Sequence, residues 1–155
     1  MQTMAQLLAQ QPFLSGMRPV HLERVSNYAH RSVFRAGSRI FHEGGHANRC
    51  WIIREGRVDV DTTIPERGVV TVETLGPGAM LGWSWMFPPY TWQFTARAVE
   101  PTAAIFFYGT ILREYCEKDH SLGYELLKRM SAVMVKRLQA GRKNMLAFPE
   151  YKARG

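Results

Sequence analysis

Residues 34–60 read FRAGSRIFHEGGHANRCWIIREGRVDV, a segment of short apolar runs separated by glycines and polar residues. The runs SRIF, CWIIRE and RVDVD have the length and the β-branched or aromatic content of strands. The glycines stand between them, where a tight turn often needs the positive φ that glycine adopts readily. Similar runs continue across residues 31–107, so this region is predicted to be an antiparallel β sandwich or barrel.

Helical patterns flank the predicted strands on both sides. Residues 1–30 are predicted as an N-terminal helical segment, since Leu22 and Val25 follow Pro19 at roughly helical spacing. Residues 108–145 are predicted as two C-terminal helices, the second running from Ser121 to about residue 140, where Gly141 should end or fray it. Residues 146–155 are predicted to be a loop or tail. The whole chain, residues 1–155, is expected to form one domain.

The longer C-terminal helix has one apolar stripe opposite one charged stripe when its residues are placed at 100° intervals. We predict that the apolar stripe makes a homodimer contact. Its candidate residues are Leu122, Leu126, Met130, Val133 and Arg137. Arg137 is an exception inside the apolar arc, so its stem should snorkel past the core edge or its guanidinium should reach a polar partner.

Composition and charge exclude several classes of protein. The chain has 155 residues, 46% of them hydrophobic, with a net charge of +7. No run approaches the roughly 20 apolar residues of a membrane span, and the N-terminus lacks the basic region of a signal peptide. Cys50 and Cys116 lie far apart, which is typical of reduced thiols in a cytoplasmic protein. We therefore expect a cytoplasmic location and no membrane insertion.

Catalytic and metal-binding motifs are not apparent in the sequence. Nucleophile elbows, phosphate-binding loops and paired catalytic carboxylates do not occur. Among the five histidines only His42 and His46 have spacing that resembles a metal site, and the residues between them are typical of a turn. No enzymatic activity, metal or cofactor is expected.

The segment GWSWMFPPYTW, residues 82–92, holds three of the chain's four tryptophans and no charged residue. Two adjacent prolines stiffen it. Such a concentration of aromatic side chains is found in cores, in ligand sites and in interfaces, so composition alone leaves all three open.

The glycine pattern of residues 34–60 resembles the cyclic nucleotide-binding domain family, which includes catabolite-activator-type regulators and regulatory subunits of cyclic AMP-dependent kinase. The matching positions are Gly37, Ile40, Phe41, Glu43, Gly44, Glu55, Gly56, Val58, Val60 and the run Leu-Gly-Pro-Gly-x-x-Leu-Gly at 75–82. The resemblance spans almost the entire chain. It implies a mainly β fold: an eight-stranded antiparallel jelly roll, or double-stranded β-helix, with an N-terminal helix and two C-terminal helices.

The resemblance also implies where a ligand site lies and how this chain departs from the family. In the family, a Gly-Glu pair opens a short helix whose amides receive the cyclic phosphate. The Glu accepts the ribose 2′-hydroxyl, and an Arg further on pairs with the phosphate. Gly82 matches the Gly, but Trp83 stands at the Glu position and Trp92 at the Arg position. Arg97 is too far along the next strand to replace it. The candidate pocket residues are Gly82, Trp83, Ser84, Trp85, Trp92 and Gln93.

Three roles for the tryptophans remain open at this point. They could fill the space that a nucleotide occupies in the family, since one Trp buries about 150 to 250 Å². They could form an aromatic box for a flatter or cationic ligand. They could also form an exposed patch that binds a protein partner.

We expect a standalone regulatory or signalling module that does not bind cyclic AMP or cyclic GMP in the usual way and acts through another small molecule or a protein partner. One alternative is a working cyclic-nucleotide sensor with a non-standard aromatic pocket. A second is a basic protein that associates with nucleic acid. Specific DNA binding is not expected, because the family's transcription factors continue into a helix-turn-helix and only 15 residues follow Ala140.

Overall fold

The computed structural model describes residues 2–147 of the chain, with side chains through residue 143. Eight strands lie within this part of the chain. They are β1 (Ala29–Phe34), β2 (Arg39–Phe41), β3 (Arg49–Glu55), β4 (Val58–Ile64), β5 (Gly68–Leu75), β6 (Met80–Leu81), β7 (Thr95–Ala98) and β8 (Thr102–Tyr108). All pairings are antiparallel, in two four-stranded sheets of order β1-β8-β3-β6 and β2-β7-β4-β5. The predicted jelly roll is thus confirmed.

Strand β3 shows how the two cores of the molecule are divided. Its side chains alternate between the two faces of the first sheet. Trp51 and Ile53 pack inward between the two sheets, whereas Cys50 and Ile52 pack against the helices on the other face. Both faces of this strand are therefore apolar. The burial of Cys50 raises the pKa of its thiol, so this cysteine is an inert core residue.

The N-terminal segment contains more structure than the sequence pattern predicted. It comprises α1 (Met4–Ala9), a 3₁₀ turn (Pro12–Leu14) and α2 (Pro19–Ser26), and β1 already begins inside the segment predicted as helical. Helix α1 starts with a capping box, in which the Thr3 side chain accepts from the Gln6 amide and the Gln6 side chain accepts from the Thr3 amide. The capping box stabilises the start of α1, a helix with too few residues to show a clear 3.6-residue hydrophobic period in the sequence.

The C-terminal helices are α3 (Gly109–Lys118) and α4 (His120–Ala147). Helix α4 continues past Gly141, so this glycine does not end the long helix. One glycine inside a helix costs only about 1 kcal/mol, and the residues on both sides of Gly141 continue the helix. The predicted tail lies outside the described residues from position 148 onward. No described helix is both long enough and apolar enough to cross a membrane.

The predicted dimer residues on α4 need correction. Leu122, Leu126 and Met130 are 5% exposed or less and belong to the core between the first sheet and the helices. Val133 is half-buried, and Arg137 contacts the β6 segment of its own chain. The apolar stripe packs mainly against the domain itself, because a helix that covers a sheet must bury its most apolar face there.

A polar cluster joins α2 to the start of α4. The buried His21 lies 2.6 Å from Glu125, between Nδ1 and Oε2, and Arg129 donates to the other oxygen of Glu125 at 3.1 Å. Arg24 donates to Asp119 at 2.7 Å. These hydrogen bonds, with those from Arg129 to the carbonyls of Phe13 and Ser15, connect the N-terminal segment to the C-terminal helices.

The carboxyl groups of Asp119 and Glu125 should make the stability of the fold fall as the pH is lowered into the acid range. Hydrogen bonds from the backbone amides of Leu122 and Ser121, with nearby positive charge, lower the pKa of Asp119. Burial raises the pKa of Glu125, but hydrogen bonds from His21 and Arg129 outweigh it and the net shift is downward. Groups with a lowered folded-state pKa stabilise the fold above their ordinary pKa of about 4 and lose this effect as pH falls through the folded value.

We therefore expect the urea midpoint to fall progressively below about pH 4. Replacing both groups, Asp119→Asn with Glu125→Gln, should lower the midpoint at pH 7 and flatten its dependence on pH below 5. Glu100→Gln changes an exposed carboxyl and serves as the control. The same acid slope in the double variant and in the wild type would contradict the assignment.

Candidate functional site

The loop of residues 82–94, between β6 and β7, forms the candidate site. It consists of turns, bends and one isolated bridge, and none of its residues is helical. The Met86 amide donates to the Trp83 carbonyl at 3.1 Å, and the Tyr90 amide donates to the Phe87 carbonyl at 2.9 Å. The short helix that the family resemblance implies, with an amino terminus facing a phosphate, is not formed in this loop.

Trp92 lies inside the jelly roll. Its ring is 5% exposed and stacks on Phe41, with centroids 3.9 Å apart and an angle of 15° between the planes. The backbone on either side is fixed, because the Gly44 amide donates to the Trp92 carbonyl and the Trp92 amide donates to the Gly45 carbonyl. For Trp92 these contacts favour the first of the three roles, a side chain that fills the site.

Gly82 makes the close approach of Trp92 possible. Its φ is +90°, a conformation that other residues rarely adopt. A Cβ at this position would lie 2.9 Å from the nearest carbon of the Trp92 ring. The family glycine is therefore retained, and in this chain it provides room for an indole ring.

Trp85 lies on the other side of the first sheet. It is 1% exposed and packs in the core between that sheet and the helices, together with Ile105 and Leu112. Arg113 donates a hydrogen bond to the Trp85 carbonyl and lies 4.0 Å over the ring of Tyr90. Although its sequence position suggested a pocket residue, the structure places Trp85 in the helix-facing core.

Trp83 is half-buried beneath a residue of α4. The Arg137 guanidinium lies 4.9 Å from the centroid of the Trp83 ring and donates to the carbonyl of Met80. Its Nε is 3.7 Å from a carboxylate oxygen of Glu73. Burial lowers the pKa of Arg137, and Glu73 opposes this effect. Of the two environments expected for Arg137 from the sequence, the structure shows the polar partner.

Five of the six predicted pocket residues line one small cavity, which we call the cassette cavity; Trp85 does not. The lining residues are Phe41, Val60, Glu73, Leu81, Gly82, Trp83, Ser84, Trp92, Gln93, Phe94 and Arg137. The cavity leaves about 30 Å³ of room for water-sized molecules, enough for one or two waters. Sequence reasoning missed the residues from β2, β4 and β5, which are distant in the chain.

Arg97 is remote from this cavity. Side chains of β7 alternate, so that Ala96 and Ala98 point inward and Arg97 points outward. Arg97 lies 3.5 Å from the carboxylates of both Asp59 and Asp61 on the neighbouring strand. Its partners thus lie on the neighbouring strand and not in the cassette cavity.

The family model of the cyclic nucleotide-binding domain matches residues 31–119, from the first strand through the last residue before α4. The chain belongs to the cyclic nucleotide-binding domain family. No curated protein matches the chain in a sequence search.

Solved structures of this family cover most of the chain. A protein of Geobacter metallireducens, described as a cyclic nucleotide-binding protein, is 28% identical, with a TM-score of 0.79 over 89% of this chain and 99% of its own. A cyclic nucleotide-binding-like protein of Brucella abortus is 30% identical, with a TM-score of 0.59 over 73% and 97%. The regulatory subunit of a cAMP-independent protein kinase A of Trypanosoma brucei shares the fold at 23% identity and a TM-score of 0.69, over 84% of this chain and 46% of its own.

Proposed function

We propose that this protein is a non-enzymatic regulatory module whose family-type nucleotide site is closed, and that it acts through another ligand or a protein partner. The observation that carries the proposal is the Trp92 ring, stacked on Phe41 inside the jelly roll beside a cavity of about 30 Å³. Ligand sites for small molecules usually measure about 300 to 1,000 Å³. A purine nucleotide does not fit this cavity unless Trp92 leaves the core.

Charge supports the same proposal. Arg137 is the one cation among the residues lining the cassette cavity, and it already contacts Glu73, the Met80 carbonyl and the Trp83 ring. The carboxylate of Glu73 would repel a cyclic phosphate. Two lost charge-assisted bonds, at Trp83 and Trp92, amount to about 3 to 6 kcal/mol, or a weakening on the order of a hundred- to ten-thousand-fold.

Titration calorimetry with cyclic AMP, cyclic GMP and cyclic di-GMP tests the closed site. We expect no saturable heat with any of the three up to a concentration of about 1 mM. Saturable binding with a dissociation constant below about 10 µM would overturn the proposal.

If a cyclic nucleotide binds, a matched pair of variants tests whether Arg137 contacts its phosphate. In the alternative, a working sensor, Arg137 is the nearest cation available to a phosphate, and Glu73→Gln should then tighten binding by freeing it. Arg97→Gln removes a cation on the outer face and serves as the control. Tighter binding in Glu73→Gln, with Arg97→Gln unchanged, would favour the sensor over the closed module.

We further propose that the protein forms a homodimer through the exposed side of α4. Tyr124, Leu127, Val135 and Leu138 on this helix are all between 43% and 66% exposed. From Ser131 to residue 143 no side chain of α4 is buried. An isolated helical segment of this length is marginal in water, so apolar contact with a second copy would stabilise it.

Analytical ultracentrifugation at tens of micromolar tests the dimer. We expect a species of twice the 17.8 kDa chain mass. The double change Leu127→Glu with Leu138→Glu should raise the dissociation constant at least about a hundredfold, since it places four charges in one symmetric contact. Lys136→Glu, on the polar side of the same helix, should leave the dimer intact. A wild-type monomer at this concentration would contradict the proposal.

A further inference from the structure

A second cavity opens beside the Phe41–Trp92 pair, and it shares only these two residues with the cassette cavity. We call it the distal pocket. β2, the loop after it, the start of β3 and the loop before β7 line it, with the residues Ile40, Phe41, His42, Gly45, His46, Asn48, Arg49, Trp51 and Trp92. Its volume is about 260 Å³, open to solvent, compared with about 30 Å³ for the cassette cavity. The distal pocket is the larger of the two by far.

Aromatic rings line one part of the distal pocket. Phe41 stacks on Trp51, with centroids 5.6 Å apart, and on Trp92, at 3.9 Å; Trp51 and Trp92 lie 5.9 Å apart in a tilted arrangement. The backbone pairing of Gly44 and Gly45 with Trp92 fixes this arrangement. The pocket is therefore pre-formed on its apolar side and suits a flat ring.

Polar and positively charged residues line the rest of the pocket. Trp51 is 4% exposed, and its indole nitrogen is a buried donor without a partner among the described residues. A buried donor without a partner is rare and requires an explanation. Asn48 adds an amide on the exposed rim, and no acidic residue lines the pocket. One buried donor without a partner therefore belongs to a lining residue of the pocket, and no lining residue carries a carboxylate.

Arg49 supplies the cationic group. Its guanidinium lies 4.6 Å from the ring of Phe106 and 5.0 Å from the ring of Tyr108, which hold it at the edge of the pocket. Within residues 2–143 no carboxylate is within 4.0 Å of it. A guanidinium that rests on aromatic faces retains its planar set of donors for an anion.

We propose that the distal pocket binds a small aromatic carboxylate of one or two rings. The ring packs on Phe41, Trp51 and Trp92, and the carboxylate accepts hydrogen bonds from Arg49 and the donors near it. A cavity of about 150 Å³ accepts benzene, so the 260 Å³ of the distal pocket accommodates a substituted or fused ring. The site shares Phe41 and Trp92 with the cassette cavity, whereas Trp51 and Arg49 line the distal pocket alone.

A metal ion fits this pocket poorly. His42 and His46 both line it, but no cluster of three metal-ligating side chains occurs among the described residues. Arg49, which is always charged, would repel a cation at this position. The chemistry of the lining therefore favours an anion.

Ligand-observed NMR and titration calorimetry with benzoate and indole-3-carboxylate test the proposal. We expect saturable binding of at least one of them with a dissociation constant below about 1 mM. Indole-3-carboxamide lacks the charge and cyclohexanecarboxylate lacks the aromatic ring, and each should bind at least about tenfold more weakly than its counterpart. Absence of saturable binding of both probes up to about 5 mM would overturn the proposal.

Variants locate the binding within the chain. Arg49→Gln should weaken binding at least about tenfold, and Trp51→Phe, which keeps a ring and removes the donor, should weaken it about three- to tenfold. Ser84→Ala, in the cassette cavity, and Arg97→Gln, on the outer face, should bind as the wild type does. Unchanged affinity in Arg49→Gln would overturn the proposal, even if Trp51→Phe failed to fold.

Competition separates this proposal from the closed nucleotide site. Excess cyclic AMP should not displace the aromatic carboxylate. If Ser84→Ala weakened binding of the aromatic carboxylate more than Arg49→Gln did, the probe would lie in the cassette cavity, and the proposed distal site would be wrong. If cyclic AMP bound without displacing the aromatic carboxylate, only the proposed closure of the nucleotide site would be wrong.

Discussion

Replacing Trp85 by alanine is expected to lower the free energy of unfolding by about 3 to 5 kcal/mol. Trp85 is 1% exposed and packs between the first sheet and the C-terminal helices. Its removal leaves a cavity where Ile105 and Leu112 meet, and a close-packed core fills such a space only in part. The measurement is urea unfolding followed by circular dichroism.

Two other variants test whether this loss depends on position. Trp85→Phe retains most of the buried ring and should cost less than half as much as Trp85→Ala. Trp83→Ala removes a half-buried ring at the surface and should cost about 1 to 2 kcal/mol, including the contact with Arg137. Equal losses at positions 83 and 85 would contradict the different environments that the structure gives these two tryptophans.

Gly82→Ala is expected to lower the free energy of unfolding by about 2 to 5 kcal/mol. The left-handed backbone at φ +90° accounts for about 1 to 2 kcal/mol of strain in a residue with a side chain. The contact between the new Cβ and the Trp92 ring, at 2.9 Å, adds about 1 to 3 kcal/mol of overpacking. Chemical denaturation measures the sum.

A double-mutant cycle separates strain from overpacking. In a Trp92→Leu background the ring is gone, and Gly82→Ala should then cost only about 1 to 2 kcal/mol. Gly37→Ala offers a matched control, because Gly37 has φ +86° with no atom near the position of its Cβ. Additive effects of Gly82→Ala and Trp92→Leu would show that the ring and the glycine are not in contact.

The framework of the fold follows from local sequence signals. Strand-length apolar runs and the glycines between them indicate a β sandwich or barrel, and the family pattern adds its topology. Strand β6 has only two residues, Met80 and Leu81, too few for any period, so its place in the sheet depends on pairing with β3. The continuation of α4 past Gly141 likewise depends on neighbouring residues that outweigh one glycine.

The candidate site is less predictable because its parts come from distant segments. The sequence identifies Gly82, Trp83 and Trp92, since they lie within one loop. Phe41 and Glu73 reach the same cavity from β2 and β5, and only tertiary packing brings them there. The loop has no regular period, so sequence alone does not reveal that Trp85 and Trp92 lie on opposite sides of the first sheet. For Arg137 the sequence contains one indication of a special environment, because it is the charged residue within the apolar stripe of the long helix.

Arg137 of α4 donates a hydrogen bond to the Met80 carbonyl and lies over the Trp83 ring, so it connects the helix to the loop. The Arg137 side chain joins the far half of α4 to the loop, so we expect a shift of the helix to change the conformation of the loop. Coupling of this kind is reciprocal. Under the proposed function, a partner that displaced α4 would therefore alter the loop even with the cassette cavity empty.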